Sequence, residues 1–228
     1  MRETTIKWTP GRGRFVTFEG GEGAGKSTQI KKLAEQLNAA RVKTIVTREP
    51  GGSPGAEIMR HLVLSGMGKL LGPDAETLLF AAARDDHVRT VIQPALNQGT
   101  WVLCDRFFDS TRAYQGSLGR VPTGVLNAMQ RVTIGDLKPD ITIILDLPVE
   151  VGLNRAAVRR GDGAPDRFEG EDLQFHEKLR EAYHRIAAED PQRCALIDAN
   201  ADPDTVAARI WTAVRDHISA SPSSETTA

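Results

Sequence analysis

The sequence contains little cysteine and few aromatic residues, and its histidines are scattered. Its two cysteines, Cys104 and Cys194, are too few for a disulfide framework or a four-cysteine zinc site. Cys104 lies in the apolar run Trp101–Cys104, where we expect a small buried side chain. The five histidines show no HxH or HxxxH spacing, so we expect no transition-metal site and assign them no chemistry.

The sequence also lacks an excess of charge and any long apolar run. Its 29 lysines and arginines nearly balance 30 aspartates and glutamates, a net charge of -1, so no nucleic-acid partner is expected. No apolar run reaches the roughly 18 residues of a membrane span, and residues 1–13 lack the apolar region of a secretory signal. We therefore expect a cytoplasmic protein without a membrane or nucleic-acid partner.

Short β-rich runs alternate with longer stretches of helical period. This alternation is typical of a parallel sheet covered by helices, and the Val/Ile-rich runs suit strands that are buried on both faces. The predicted strands are Arg14–Glu19, Thr44–Thr47, Thr100–Asp105, Asp140–Asp146 and Cys194–Asp198. The sequence therefore predicts an α/β fold with a five-stranded parallel sheet and helices on both faces.

Cap and proline signals place further elements. Ser53-Pro54 is typical of an N-cap followed by a proline in the first helical turn. The helix it opens is predicted to face inward with Ile58, Leu62 and Val63. A longer helix is predicted over residues 74–97, with an interruption at Pro94.

The chain shows no internal domain boundary. We expect one domain over residues 14–218, with a frayed leader at 1–13 and a frayed tail at 219–228. Glycines and a proline break the helical pattern in Arg159–Gly170. This stretch is either a solvated connector or a mobile loop, and in the second case it forms a lid at about residues 155–170.

The segment Gly20–Ser27 (GGEGAGKS) matches the pattern G-x-x-x-x-G-K-[ST]. It follows a predicted strand and precedes a helix predicted to begin near Lys26, an arrangement in which backbone N–H groups and the helix dipole face a phosphate. Lys26 adds a positive charge near the β and γ phosphates, and the Ser27 hydroxyl can ligate Mg²⁺. The sequence therefore predicts a nucleoside triphosphate site.

The pair Asp105-Arg106 follows another predicted strand. Asp105 either orients Mg²⁺, as a Walker-B aspartate does, or caps a turn. Arg106 is typical of a site that binds a second phosphate bidentately. The N-K-x-D motif with which GTPases read their base is absent. These features favour a phosphotransferase over a GTPase or a motor.

Six segments, in their order and spacing, resemble the thymidylate kinase family. They are FEGGEGAGKST, TREPGG, LLFAAARDDHV, WVLCDRFFDSTRAYQG, PDITIILDLPVEVGLNRA and DRFE, and the likeness extends from about Phe15 to Ile218. The resemblance implies the P-loop kinase fold, a homodimer, and phosphorylation of dTMP to dTDP by ATP with Mg²⁺. It also implies a cis peptide bond before Pro50.

Carried over by residue, the resemblance implies two adjoining nucleotide sites. The ATP site would comprise Gly20, Gly21, Glu22, Gly23, Ala24, Gly25, Lys26, Ser27 and Thr28, with Mg²⁺ held by Ser27 and Asp105. The dTMP site would comprise Glu22, Arg48, Phe80, Arg84, Arg106, Ser110, Thr111, Tyr114 and Gln115.

Several dTMP contacts have implied roles. Glu22 would reach the sugar 3′-hydroxyl, and a carboxylate inside an anion cradle is otherwise unfavourable. Phe80 would stack on thymine, and Arg84, on the same helix face, would donate to a base carbonyl. Tyr114 would exclude a ribose 2′-hydroxyl by its bulk. Arg48 would lie near the monophosphate.

The implied catalysis is in-line transfer without a general base, because the acceptor oxygen is already anionic. The P-loop positions 21–24 hold no arginine, so the lid would supply the missing charge. The residues predicted to be catalytic are Lys26, Arg106, Glu22, Arg155 and Arg159, and further lid candidates are Arg160 and Arg167.

Two other functions remain open at this point. A deoxynucleoside kinase or another nucleoside monophosphate kinase has a similar P-loop, and a hydroxyl acceptor would require a base, for which Glu19 is the candidate. A non-enzymatic P-loop protein would be favoured by the loss of Lys26, Ser27, Asp105 or Arg106, all of which are present. An apolar face on the 74–97 helix could serve as a dimer interface.

Overall fold

The computed structural model describes residues 13–65, 72–119, 121–163 and 168–220, without side chains for 219 and 220. Gly13, which we placed in the leader, is buried and donates its N–H to the Leu96 carbonyl at 2.8 Å. The last helix continues to Ala220, past the predicted end of the domain. The other predictions for the leader and the tail, and the one for Arg167, lie outside the described residues.

The sheet has five parallel strands in the order β2-β3-β1-β4-β5. The strands are β1 (Phe15–Gly20), β2 (Thr44–Arg48), β3 (Trp101–Asp105), β4 (Ile141–Asp146) and β5 (Cys194–Asp198). All five predicted strands are confirmed, with ends that move by one residue at most. Phe18 pairs with Asp105 and Gly20 pairs with Leu145, so the loop after β1 opens between the ends of β3 and β4. Ligands bind at this carboxyl edge in open α/β sheets.

Helices cover both faces of the sheet. They are α1 (Lys26–Ala39), α2 (Pro54–Leu64), α3 (Gly72–His87), α4 (Gln93–Asn97), α5 (Phe108–Thr111), α6 (Thr123–Thr133), α7 (Val149–Arg160), α8 (Leu173–Glu189) and α9 (Pro203–Ala220). A π-helical segment, Val88–Ile92, joins α3 to α4, and another, Arg112–Leu118, follows α5. The predicted interruption of the long helix therefore lies just before Pro94, whose nitrogen cannot donate to the helix ladder. None of the described helices is long and apolar enough to cross a membrane.

Separate apolar clusters hold the helices on the two faces. On one face, Leu33 and Leu37 of α1 pack with Trp101 and with Val214 of α9. On the other, Phe15 packs edge to face on Phe107 at 4.8 Å between ring centroids. Cys104 is fully buried in this second cluster, as predicted. Removing this apolar surface from water is the main stabilising contribution to such a fold.

The inward face of α2 differs from the prediction. Val63 is buried as expected, but Ile58 is 65% exposed, and the second buried residue is Ala56, seven positions before Val63. Two turns separate these positions, so Ala56 and Val63 lie on one face and Ile58 points away from it. The prediction for Ile58 was wrong, because the buried face is completed by Ala56, a small side chain that the apolar spacing did not include.

The N-terminus of α2 is capped from another helix. Ser53 occupies the predicted cap position, but its side chain makes no hydrogen bond to the helix backbone. Its hydroxyl donates instead to Asp86 of α3 at 2.7 Å, and the same carboxylate accepts from the Ala56 N–H at 3.2 Å. Asp86 thus satisfies an N–H group that a local cap would satisfy.

Candidate active site

The P-loop connects β1 to α1 with the geometry that its glycines predict. Gly20 has φ 130°, and a side chain on Gly23, at φ 67°, would overlap the Gly152 carbonyl of α7. Gly25 caps α1 in a left-handed conformation. The Lys26 Nζ donates to the carbonyls of Gly20 and Gly21 at 3.0 and 2.9 Å. Burial and the nearby Arg106 guanidinium lower the pKa of Lys26.

Ser27 and Asp105, the two predicted Mg²⁺ ligands, lie in contact. The Ser27 hydroxyl donates to Asp105 Oδ2 at 3.1 Å, while Asp105 Oδ1 is buried without a hydrogen-bond partner. A buried carboxylate oxygen without a partner is costly, and a cation would satisfy it. Among the described residues, no three His, Cys, Asp or Glu side chains are grouped so that they could hold a metal ion. The donors fit Mg²⁺, which takes few protein ligands and keeps water and phosphate oxygens.

Arg106 lies at the end of β3 with φ 69°, an unusual backbone conformation for a residue with a side chain. Its Nη2 donates to Glu22 Oε1 at 2.6 Å, and its guanidinium lies 5.1 Å from the centroid of the Tyr114 ring. Burial disfavours its charge, but the neighbouring Tyr114 and Glu22 oxygens hold the pKa of Arg106 well above its usual value. This arginine is fixed as a cation beside the P-loop.

Glu22 links the P-loop to this arginine. Besides Arg106, the carboxylate accepts a hydrogen bond from the Tyr114 hydroxyl at 3.1 Å. Burial raises the pKa of Glu22, but Arg106 and Lys26 outweigh burial and lower it to about 2. The carboxylate is therefore ionised at neutral pH and can accept a hydrogen bond from a ligand hydroxyl.

These side chains line one cavity of about 420 Å³. It brings together residues predicted for both nucleotides: Glu22, Gly23, Ala24, Gly25, Lys26, Ser27, Thr28, Arg48, Phe80, Arg84, Asp105, Arg106, Ser110, Thr111, Tyr114, Gln115 and Arg159. Gly20 and Gly21 are predicted ATP contacts that are not among the lining residues, although their carbonyls accept from Lys26. The cavity is large enough for a small ligand with several polar groups.

At one end of the cavity, Phe80 and Arg84 line the wall from α3. Arg84 is almost fully buried, and its Nε donates to Glu49 at 2.7 Å while Nη2 donates to the Phe107 carbonyl at 3.2 Å. His87 Nδ1 lies 3.1 Å from the same Glu49 carboxylate. The Glu49-Pro50 peptide bond is cis, which the resemblance predicted. The guanidinium of Arg84 is thus held in one orientation.

The other residues predicted to bind dTMP differ in how deeply they are buried. Arg48 is more than half-exposed and pairs with Glu57 at 3.1 Å. Tyr114 packs edge to face on Phe168 at 4.9 Å, and burial raises the pKa of its phenol, so its hydroxyl stays protonated and donates to Glu22. Gln115 is buried beside Glu76.

The lid arginines take different positions. Arg159 lines the cavity and pairs with Glu169 at 2.9 Å, and Arg160 pairs with the same carboxylate at 2.8 Å. Arg155, on the same helix, donates to the Ala199 carbonyl at 3.4 Å and is not among the described residues that line the cavity. Of the three lid arginines that the structure describes, Arg159 is therefore the one that lines the cavity.

Sequence reasoning missed several residues of the site. Arg60 of α2 lines the cavity and donates to the Pro50 carbonyl at 2.7 Å, and no local motif marks it. Glu49 lies within the TREPGG segment, next to Arg48, so the sequence places it near the site. The sequence does not indicate that Glu49 pairs with Arg84. Tyr183 of α8 donates to Glu19 and contacts Arg106, and only the folded chain brings these residues together.

A P-loop, two side chains whose donors fit Mg²⁺ and an arginine fixed beside the P-loop are typical of a phosphotransferase. The family model for thymidylate kinase matches residues 18–210. Thymidylate kinase of Bradyrhizobium diazoefficiens is 75% identical over 98% of both chains, and that of Nitrobacter hamburgensis is 76% identical over 93% of both. The crystal structure of thymidylate kinase from Ehrlichia chaffeensis matches with a TM-score of 0.72 and 32% identity, covering 90% of this chain and 99% of that one. The chain belongs to the thymidylate kinase family.

Proposed function

We propose that the protein transfers the γ-phosphoryl group of ATP to the phosphate of dTMP, giving ADP and dTDP. The observation that supports this most directly is the shared cavity, in which the P-loop lysine and Arg106 face the space between them. Two phosphates that repel each other need positive charge on both sides, and the two cations supply it.

On the donor side, P-loop N–H groups and Lys26 hold the β and γ phosphates of ATP. Ser27 and Asp105 would hold Mg²⁺, which neutralises phosphate charge when bound. The orphaned Asp105 Oδ1 supports this assignment, because the oxygen is buried and otherwise unsatisfied.

On the acceptor side, Arg106 binds the dTMP phosphate. Phe80 stacks on the thymine ring, and Arg84, held by Glu49, donates to a base carbonyl. Glu22 accepts from the sugar 3′-hydroxyl. The Tyr114 ring, fixed between Glu22 and Phe168, fills the space that a ribose 2′-hydroxyl would need.

The chemical step requires no general base. The dTMP oxygen that attacks is anionic, so no proton has to be removed from it. The side chains of this protein position the two phosphates and neutralise their charge. Phosphorylation of a nucleoside hydroxyl would need a base, and the only earlier candidate, Glu19, is fully buried with both oxygens already hydrogen-bonded. This placement favours a phosphate acceptor over a hydroxyl acceptor.

Arg159 supplies the charge that the P-loop lacks. It sits at the end of α7, where the lid begins, and already lines the cavity while paired with Glu169. We also propose that the protein acts in the cytoplasm. A homodimer would cover apolar side chains of α2, α3 and α6 that stand exposed, namely Ile58, Leu78, Val125 and Val132.

A coupled ADP-release assay over dTMP, dUMP, dCMP, AMP, UMP and thymidine tests the activity, and dTMP should be the best acceptor. The same assay gives kcat for variants of the two cations, and calorimetric titration gives their affinity for dTMP. Lys26→Ala should lower kcat by on the order of a hundredfold, because its charge acts on the transferred group. Arg106→Ala should weaken dTMP binding by about tenfold or more.

Arg112→Ala is the matched control, since Arg112 pairs with Asp109 and Glu189 and is not among the described residues that line the cavity. It should bind dTMP like the wild type. Better turnover of thymidine or a ribonucleotide, or unchanged dTMP affinity in Arg106→Ala, would overturn the proposed function.

A further inference from the structure

Glu19, at the carboxyl end of β1, is a fully buried carboxylate that the mechanism does not use. Its Oε1 accepts from the N–H groups of Phe107 and Ser110 at 2.8 and 3.2 Å. Its Oε2 accepts from the Ser110 hydroxyl at 2.6 Å and the Tyr183 hydroxyl at 3.1 Å. One oxygen thus holds the backbone at the start of α5, and the other holds two side chains.

The same two hydroxyls face Arg106. Its Nη1 lies 3.3 Å from the Ser110 oxygen and 3.1 Å from the Tyr183 oxygen. A guanidinium can only donate, and each hydroxyl has one proton. Both hydroxyls must therefore turn lone pairs toward Arg106 and protons away from it, and Glu19 is the acceptor that receives both protons.

We infer that Glu19 is a positioning residue for the acceptor phosphate: its carboxylate sets the direction of the Ser110 and Tyr183 hydroxyl protons and thereby fixes Arg106. This inference rests on the proposed role of Arg106 in binding dTMP. Tyr183 belongs to α8, the helix after the lid, so the network joins β1, β3 and α8 around one guanidinium.

A purely structural carboxylate would be a costly choice at this position. Burial, reinforced by the charge of Asp109, raises the pKa of Glu19 to about 7. A glutamine would fill the same space without a buried charge and would still accept from the two backbone N–H groups. The amide differs from the carboxylate only at the oxygen that faces the hydroxyls, where it would donate.

Glu19→Gln therefore separates the two roles. Because Oε1 faces two N–H donors, the amide oxygen takes that position and the amide nitrogen faces Ser110 and Tyr183. Each hydroxyl then accepts from the amide and must direct its proton elsewhere. The hydroxyl oxygens are 3.0 Å apart, so one proton can point at the other oxygen, but the second is left facing Arg106. The hydrogen bonds to the backbone at the start of α5 are therefore kept, whereas a hydroxyl proton now points at Arg106.

The experiment is calorimetric titration at pH 8 with dTMP and, separately, with an unreactive ATP analogue. Glu19→Gln should weaken dTMP binding by about tenfold, the loss expected when a buried hydrogen-bonded charge is misdirected, and leave nucleotide triphosphate binding within about twofold. Tyr183→Phe should weaken dTMP binding in the wild type. It should cause no further loss in Glu19→Gln, where that hydroxyl already opposes Arg106, so the two changes are not additive.

Asp109→Asn is the control for general damage near α5, because Asp109 pairs with Arg193 and Arg112 rather than with Arg106 or Tyr183. It should lower stability without weakening dTMP binding. Wild-type dTMP affinity in Glu19→Gln, equal losses for both nucleotides, or additive effects with Tyr183→Phe would overturn the inference. Arg106→Ala is measured in parallel: wild-type dTMP affinity in that variant would overturn the proposed function instead.

Discussion

The buried carboxylate of Glu19 predicts a measurable link between pH and stability. Its pKa rises from 4.5 in an open chain to about 7 in the fold, chiefly through burial. A group that binds its proton more tightly when folded contributes stability that is complete below the lower pKa and is lost as pH rises through the upper one. The difference corresponds to about 3 kcal/mol.

Glu19→Gln removes this titration, so the comparison with the wild type isolates it from other groups. The unfolding free energy of the wild type, relative to the variant, should be about 2.5 kcal/mol lower at pH 8 than at pH 5, since part of the total is already lost at pH 5. The reversed hydroxyl directions change the unfolding free energy of the variant by an amount that does not depend on pH. They therefore do not alter the expected pH dependence of the difference. Urea unfolding at pH 5, 6, 7 and 8 measures the difference directly.

Glu22→Gln is the matched control within the same site. The pKa of Glu22 is lowered to about 2, so its contribution is present above about pH 4.5 and is lost only as pH falls through 2. Between pH 5 and 8 the wild type and Glu22→Gln should therefore differ by a constant amount. A constant difference for Glu19→Gln as well would refute the reasoning about its burial.

Three further outcomes are expected. Tyr114→Phe should keep the preference for deoxyribonucleotides over ribonucleotides, measured as the ratio of their kcat/KM values, and Tyr114→Ala should relax it. An unchanged preference in Tyr114→Ala would show that the ring does not exclude the 2′-hydroxyl. Arg159→Ala should slow single-turnover phosphoryl transfer by about a thousandfold and Arg155→Ala much less, and near-wild-type rates in both would exclude a catalytic lid. Arg193→Leu should destabilise the fold by about 2–3 kcal/mol in urea unfolding, because the buried Asp109 keeps Arg112 but loses its second arginine partner; a loss below about 1 kcal/mol would mean that the pair behaves as an exposed one.

The sequence was sufficient for the features that depend on local pattern. All five strands and the P-loop helix were predictable, because buried parallel strands are short apolar runs and the P-loop is continuous in sequence. Ser27, in the first turn of α1, meets Asp105, at the end of β3, because the P-loop strand β1 pairs with β3. The fold class and the position of the P-loop could therefore be predicted without coordinates.

Contacts that depend on packing between distant elements were not predictable. Nothing near Glu19 in the sequence indicates Tyr183, which lies 164 positions later and arrives on α8. The position of Arg155 could not be separated from that of Arg159, because four residues on one helix are nearly one turn and small rotations decide which faces the cavity. The inward face of α2 was assigned to Ile58 instead of Ala56 for a different reason, since a small alanine gives a weak apolar signal although it packs inside.

The charges around the cavity show why the pairings matter more than the number of arginines. Within the described residues, four arginines that line it are paired with a carboxylate: Arg48 with Glu57, Arg84 with Glu49, Arg106 with Glu22 and Arg159 with Glu169. Each carboxylate cancels charge that would otherwise attract any anion, and it also fixes the direction in which the guanidinium donates. Affinity for phosphate then depends on donors that are already oriented, which reduces the entropy lost on binding and favours the ligand whose oxygens match them.

Lys26 differs, because its ammonium is held by two P-loop carbonyls rather than by a carboxylate. No carboxylate of the described residues pairs directly with this ammonium, so it is free to exchange the carbonyls for the phosphate oxygens of the transferred group.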